Sequence, residues 1–342
     1  MSVTLPLEQL CCPACRGDLR ETGIAEAELR CEACNRTYPV ILGIPDLRIF
    51  ADPYIGLEAD RAKGKRLAAL AADTDFAGLL AAYYAMPDTE DSPAQAKQFT
   101  AGLLAAPARA RAVLAQWQAL AGRPAAPQER FLEIGCGTAP LLIAAAKQFG
   151  AALGVDIAFR WLVVARKRLQ EAGCDVPLIC ACAEALPLRS GTRDVVAAES
   201  TFEVTRDPTV ALGEARRVMK SSGALWLTTP NRLSLGPDPH LGLPAGGWWP
   251  RPLVEAWAQR RGELAPQRQL QTAGSLRTLL ETAGFRDIRV ALPDIADAQR
   301  AALAPASSAA AGIYQMVKDL PGLHELMLTV APTLLATAAP AT

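Results

Sequence analysis

An open, doubly wound α/β sheet is the fold that residues 129–342 predict, and three observations predict it. Residues 131–134 form a short apolar run that ends at Gly135-Cys136-Gly137, and residues 139–149 then have helical character, so a buried strand passes into a helix through a glycine turn. A second apolar run, residues 152–155, follows and ends in Asp156. Strand and helix segments of these lengths go on alternating, which is the pattern of a mostly parallel sheet covered by helices on both faces.

The first strand and its turn carry the chemistry. Two glycines leave no Cβ in the way of a ligand, and a carboxylate at the end of the next strand suits a ribose diol. Two kinds of cofactor use that geometry. A dinucleotide site wants a small residue three places after the second glycine, where the helix closes on the strand and its first turn meets pyrophosphate; here that place is Pro140. Proline is at home in a first helical turn, but it departs from that fingerprint. Glu133, two residues before Gly135, points to the other kind of cofactor. A carboxylate there repels a pyrophosphate and attracts the cationic end of a zwitterion.

In these residues the chain resembles the class I S-adenosylmethionine-dependent methyltransferases, whose first motif runs acid-x-Gly-x-Gly-x-Gly; Ala139 replaces the last glycine. Cys182-Ala183-Glu184-Ala185-Leu186-Pro187-Leu188 is similar to the family's Asp-Ala-Glu-x-Leu-Pro-Phe segment after strand three, with Cys182 where aspartate is usual. Residues 194–198 read as strand four, and Glu199-Ser200-Thr201 follows. Phe202-Glu203-Val204-Thr205-Arg206-Asp207-Pro208 resembles Leu-Glu-His-Val-x-Asp-Pro, with Val204 in place of histidine. The pair Asp207-Pro208 also fits a helix cap and the first helical residue, and Glu203 taken alone reads as a solvated side chain. The run from Glu214 to Gly223 looks like the helix and turn before strand five at residues 224–229; a sixth strand falls near residues 288–292 and a last one near residues 327–335.

This order resembles the methyltransferases of ubiquinone pathways, the type 11 group. The resemblance implies a seven-stranded, Rossmann-like sheet with an antiparallel final strand. It further implies S-adenosylmethionine as cofactor, held by Glu133, Gly135, Cys136, Gly137, Asp156, Ile157, Ala183, Glu184, Glu199 and Ser200. Ala183 and Glu184 would flank the adenine, and Glu199 and Ser200 would meet the methionine moiety.

A second signal lies at the N-terminus. Cys12-Pro13-Ala14-Cys15 and Cys31-Glu32-Ala33-Cys34 have the spacing of a four-thiolate zinc site, in which each two-residue gap delivers two sulfurs to one side of a tetrahedral ion. A site closed by Cys12, Cys15, Cys31 and Cys34 is structural rather than catalytic. Disulfides or free thiols are the alternatives, and a chain in a reducing compartment does not keep disulfides. Tyr38-Pro39-Val40-Ile41-Leu42-Gly43-Ile44-Pro45 then resembles the zinc ribbons of the small tRNA-methyltransferase activator family, here fused to a methyltransferase. So small a ribbon cannot bury enough core unaided, so zinc would supply folding energy. Cys11 reads as spare, and Cys136, Cys174, Cys180 and Cys182 as buried or half-buried thiols.

The domain plan expected is a zinc ribbon at 1–49, a helical connector covering the pocket at 50–128, and the methyltransferase domain at 129–342 with a substrate insertion at about 230–272. In the connector, helices are expected near residues 57–72, 76–85 and 108–120, with breaks at 88–93 and 123–127; Tyr83, Tyr84 and Trp117 face either the acceptor pocket or, more commonly for such aromatics, the core. In the insertion, His240 is one of two histidines and can accept a proton near neutrality; Glu203 is the other candidate base, and Trp248 and Trp249 either stack on a flat acceptor or cap the core.

Charge and hydropathy exclude some classes. The 35 basic and 35 acidic residues balance, and residues 1–50 hold five Arg against seven acids, which argues against a nucleic-acid clamp. Residues 251–289 hold seven Arg against four acids, an excess that a solvated helix face explains. No basic segment precedes an apolar one at the N-terminus, so a cytoplasmic chain without a secretory signal is expected. The uncharged runs 301–317 and 326–342 are short for a transmembrane segment and read as a buried helix and the final strand.

The function expected is methyl transfer to a small-molecule acceptor, with O, N and C acceptor atoms all open. Alternatives are an rRNA base methyltransferase and a non-catalytic cofactor-binding scaffold that recruits a protein partner through the ribbon.

Overall fold

The computed structural model describes residues 7–22, 27–89, 92–238, 241–263, 265–295, 300 and 305–341. The chain begins with four short strands, β1 (Leu19–Thr22), β2 (Glu28–Cys31), β3 (Thr37–Ile41) and β4 (Ile44–Pro45), each antiparallel to the next. Three helices follow: α1 (Leu57–Leu70), α2 (Phe76–Tyr84) and α3 (Pro93–Ala121). The second sheet is then laid down as β5 (Arg130–Ile134), α4 (Pro140–Ala145), β6 (Ala151–Asp156), α5 (Phe159–Glu171), β7 (Leu178–Cys180), β8 (Arg193–Glu199), α6 (Pro208–Val218) and β9 (Met219–Pro230). It is completed by α7 (Arg251–Arg260), α8 (Ala273–Thr282), β10 (Phe285–Ala291), α9 (Pro305–Val317), α10 (His324–Val330) and β11 (Thr333–Pro340).

The large sheet has the order β10-β11-β9-β8-β5-β6-β7, parallel from β9 to β7, with β11 antiparallel to both neighbours. Both faces are buried, as a parallel sheet requires: Phe131, Val195, Ala197 and Trp226 feed one apolar cluster, and Leu132, Ile134, Val196 and Ala198 the other. The chain leaves β5 toward β6 on one side, and β8 pairs on the other, so a crevice opens at the C-terminal ends of β5 and β8.

The small sheet has no core to itself. Leu10, Cys12, Leu19, Leu29, Tyr38 and Leu47 join the cluster of Leu132 and Ile134. Its exit segment pairs with the outer strand of the large sheet, Leu47 N donating to Cys180 O at 2.8 Å, and its entry segment meets the loop after that strand, Cys11 N donating to Pro187 O at 3.1 Å. Behind that pairing lies a buried ionic cluster. Arg48 reaches both oxygens of Asp46 (2.7 and 2.8 Å) and Asp60 Oδ2 (2.6 Å), and Arg160 reaches Asp60 Oδ1 (2.9 Å) and Asp52 (3.2 Å). Asp60 also accepts from Phe159 N at 2.8 Å, so a carboxylate from α1 caps the start of α5. Each buried charge has a partner, the condition under which burial is tolerated.

Helix α3 is much longer than the segment 108–120 expected for it. Ser92 and Gln95 form a capping box with Pro93 in the first turn, and the helix runs through Pro107. Proline cannot donate to the carbonyl four residues back, and that carbonyl, Leu103 O, accepts instead from the Arg168 guanidinium of α5. Tyr83 and Trp117 are packing residues: Tyr83 lies 4.3 Å from the Trp161 ring, and fully buried Trp117 donates to Leu227 O at 3.1 Å.

Two C-terminal expectations are corrected. The last strand starts at Thr333, and Met327 lies in α10, because Pro332 forces Ala331 into an extended conformation (φ −65°, ψ 152°) that ends the helix. The helix expected to be buried in 301–317 is α9, with Ile313 and Met316 58% and 71% exposed. Among the described residues no helix is long and apolar enough to cross a membrane.

Candidate cofactor pocket and metal centre

The glycine turn is built by backbone that only small residues satisfy. Gly135 has φ +72°, and a Cβ on it would stand 2.2 Å from Thr201 Oγ1. Its N–H and that of Cys136 both donate to Val155 O, at 2.7 and 3.1 Å, which fastens the turn to β6. Gly137 (φ +49°) faces open space and donates to Asp156 Oδ2 at 2.8 Å; Ala158 N donates to Oδ1 at 2.8 Å. Ala139, where the resemblance has a third glycine, takes the left-handed conformation itself (φ 62°, ψ 31°).

A cavity of about 180 Å³ opens at the ends of β5, β6 and β8. Of the cofactor residues read from sequence, Gly135, Asp156, Ile157, Ala183, Glu184 and Ser200 line it. Glu133, Cys136, Gly137 and Glu199 are not on the wall. Gly137 acts through its N–H on Asp156, and the buried Cys136 thiol packs under β6, 2.9 Å from where a Cβ on Gly154 would be. Glu199 pairs with Arg109 of α3 at 3.0 Å. Glu184 is already engaged by the next loop, accepting from Arg206 N at 2.7 Å. Ser200 carries φ +52°, an unusual conformation for a side chain with Cβ, at the wall of the cavity.

Glu133 is buried, accepts from Leu142 N, and its Oε2 has no partner among the described residues. Burial raises its pKa well above the usual carboxylate range, and the negative charges of Glu199 and Asp156 add to the effect. Asp156 is raised mainly by burial too, against the two N–H groups that hold it down. Among the described residues no cation is in contact with Glu133 or Asp156, and Arg160 opposes the shift of Asp156 only from a distance.

Of the two catalytic expectations, Glu203 is described and lies away from the cavity. Glu203, read as solvated, is instead 4% exposed and lines a separate crevice with Thr229, Gln269 and Leu279. Thr229 Oγ1 donates to its carboxylate at 3.3 Å, and burial pushes its pKa up to about 7. The three-residue helical turn Phe202–Val204 causes this, turning Glu203 inward and leaving Val204 on the cavity wall. His240 lies outside the described residues. Trp248 and Trp249 are 54% and 45% exposed and do not cap the core.

Several wall residues had no motif to announce them. Phe50 and Pro53, just beyond the small sheet, line the cavity; Thr205 and Arg206, which also line it, fall in the 202–208 motif but carried no expected role there. The Arg206 guanidinium lies 3.8 Å from the centre of the Phe50 ring. Cys182, at the usual aspartate position, sends its thiol to Phe50 O at 3.6 Å rather than into the cavity.

The four cysteines of the small sheet converge. Their sulfurs all lie within 4.8 Å of one another, with Cys12–Cys34 at 3.7 Å and Cys15–Cys31 at 3.4 Å. Four sulfurs about 2.3 Å from a tetrahedral zinc stand roughly 3.8 Å apart, so the donor set and its size fit that ion.

Comparison with known proteins agrees with both halves. Residues 132–227 match the family described as "Methyltransferase domain", and residues 6–43 match "Trm112p-like protein". Residues 132–227 are thus similar to methyltransferase domains and residues 6–43 to Trm112p-like proteins. It is 33% identical over 114 residues to a ubiquinone biosynthesis O-methyltransferase of Methylococcus capsulatus, covering 33% of this chain and 46% of that protein. It is also 32% identical over 117 residues to a 37.1 kDa protein in a Streptomyces fradiae transposon, covering 33% of this chain and 34% of that protein. The chain thus spans less than half the length of these two relatives. Among solved structures, a complex of the Haloferax volcanii Trm112 methyltransferase activator aligns with 81% of this chain and 98% of its own, at 15% identity and TM-score 0.45. Haemonchus contortus phosphoethanolamine N-methyltransferase 2 with S-adenosyl-L-methionine aligns with 66% and 52%, at 18% identity and TM-score 0.45.

Proposed function

We propose that the chain transfers a methyl group from S-adenosylmethionine to a small-molecule acceptor, with zinc in the four-cysteine site as a folding element. The observation that carries this reading is the acidic crevice around the glycine turn, in which no cation among the described residues touches Glu133 or Asp156. Glu133, next to the lining residue Ile134, has a buried oxygen without a partner among the described residues, which suits an ammonium. Asp156, on the wall at the end of β6 and anchored by two backbone N–H groups, has lone pairs left for a ribose diol. When bound, the sulfonium supplies an electrophilic methyl group, so neither a metal nor a covalent nucleophile has to be found for the reaction. The chain's part is to hold the ligand by Glu133 and Asp156, to exclude water, and to align the acceptor.

The carboxylates on the described cavity wall, Asp156 and Glu184, are both committed to backbone N–H groups. Glu203 faces a different crevice. That arrangement favours alignment over base catalysis by these groups. Where an acceptor must lose a proton, His240 is the residue we assign to accept it. His240→Ala lowering turnover without changing cofactor affinity is the result that supports the assignment; unchanged turnover refutes it.

Calorimetric titration with S-adenosylmethionine tests the pocket, and absence of binding at millimolar ligand would overturn the reading. Incubating the protein and isotope-labelled cofactor with metabolite extracts then identifies the acceptor. Label appearing in RNA alone favours a nucleic-acid substrate instead.

A further inference from the structure

The segment that leaves the small sheet does two jobs. Asp46, Leu47 and Arg48 fasten the ribbon to the outer strand β7 and the ionic cluster, and Phe50 and Pro53, immediately after, are walls of the cavity. The fastening reaches the pocket at one further point and is itself tied down at two others. Arg48 Nη1 donates to the carbonyl of Ile157, a lining residue, at 3.0 Å. Asp52 accepts from Tyr54 N at 2.8 Å and from Arg160, which closes the turn over the start of α5. Tyr54 Oη accepts from Gln267 N at 3.1 Å, so the far end of the segment is tied to the insertion between β9 and α8.

The cavity walls differ in chemistry along their length. Glycine, Ser200 and Thr201 surround the end near β8; Ile157, Ala181 and Ala183 surround the end near β7, and Phe50 is the one aromatic ring among the lining residues. A flat heteroaromatic base needs apolar faces and gains from a ring stacked against it, whereas an amino-acid group needs polar partners. Arg206, another lining residue, lies on the Phe50 ring and donates to Ala51 O at 3.2 Å. The position of the ring is thereby fixed, with one of its faces held by the guanidinium.

We propose that residues 48–54 are an integral wall of the cofactor site, with Phe50 meeting the purine of the bound nucleoside, so that ligand affinity depends on a folded, docked ribbon. This rests on the cofactor reading above. It makes the ribbon part of the binding site as well as a neighbour of the sheet.

Calorimetric titration of the full chain with S-adenosylhomocysteine and with 5′-methylthioadenosine tests it, alongside thermal melting of every variant. Phe50→Ala should weaken both ligands by the same factor, about tenfold, because the lost contact is with the base that they share. Phe50→Leu, which keeps apolar bulk but no ring, should lose about a third as much on a logarithmic scale, and its melting should match the wild type. Removing metal from the wild type with a chelator should lower affinity at least as far as Phe50→Ala. Trp248→Ala, on the exposed insertion, should leave both affinities unchanged. Phe50→Ala binding within twofold of wild type overturns the proposal, as does a loss confined to the homocysteine-bearing ligand, which would put Phe50 at the other end. If the wild type binds neither ligand, the cofactor reading fails and this inference falls with it.

Discussion

The two sheets of this molecule are held together by opposite means. In the seven-stranded sheet alternate residues of β5 and β8 feed apolar clusters on both faces, so hydrophobic burial is the main force on its strands. In the four-stranded ribbon the strands have two to five residues, and their buried side chains belong to the two clusters of the larger neighbour, Leu19, Leu29 and Tyr38 to one and Ile44 to the other. What keeps the ribbon in place is chemistry of other kinds: four convergent thiols and a buried set of paired charges. Small folds survive by such staples, and here one staple is borrowed from the domain next door.

The sharpest way to break that contrast is Cys31→Ser. Structural zinc contributes about 10–16 kcal/mol to small sites at neutral pH, so losing a ligand should unfold the ribbon while the large sheet remains. Metal content and hydrogen exchange would read this out; retained protection across residues 27–45 would contradict it. Next in size is Asp60→Ala, which leaves Arg48 and Arg160 buried without their shared carboxylate and should cost about 3–5 kcal/mol in chemical denaturation. A loss under 1 kcal/mol would mean that water replaces the carboxylate.

Glu203 sharpens the comparison from the side of the large sheet, which carries a cost of its own. With its pKa raised from 4.5 to about 7, the folded chain keeps a proton that the unfolded chain releases, so stability falls as pH rises through that window. Glu203→Gln should remove the slope, gaining up to about 3 kcal/mol at pH 8 and nothing at pH 4. Equal gains at both pH values would show that the carboxyl does not titrate there. The smallest effect expected is from Ala139→Gly: relief of a left-handed alanine, offset by chain entropy, should raise stability by about 0.5–1 kcal/mol. A lower melting temperature would show that the Cβ, fully buried as it is, contributes more by packing than it costs in strain.

What could be read from sequence was set by distance along the chain. The glycine turn, Asp156 and the two cysteine pairs obey local rules, and the structure brings each where the spacing placed it. The order of strands followed from alternation of apolar runs. The wall at Phe50 and the cluster of Asp46, Arg48, Asp60 and Arg160 did not, because partners up to 156 residues apart leave no periodic trace. The motif around Glu203 was visible as a string of residues, but whether its carboxylate faced the cavity depended on one helical turn. The end of α10 was decided by Pro332, a signal present in the sequence and outweighed there by a long uncharged run.

The pairing of Leu47 and Cys11 with the rim of the large sheet also bears on how this protein can be handled. A chain trimmed to start after the ribbon would bare the backbone of β7 and its flanking residues, a template onto which another copy can add a strand. Such a fragment should precipitate or polymerise on expression even with every ligand-contacting glycine and carboxylate intact. Its insolubility would then report on an uncovered flank and say nothing about catalysis.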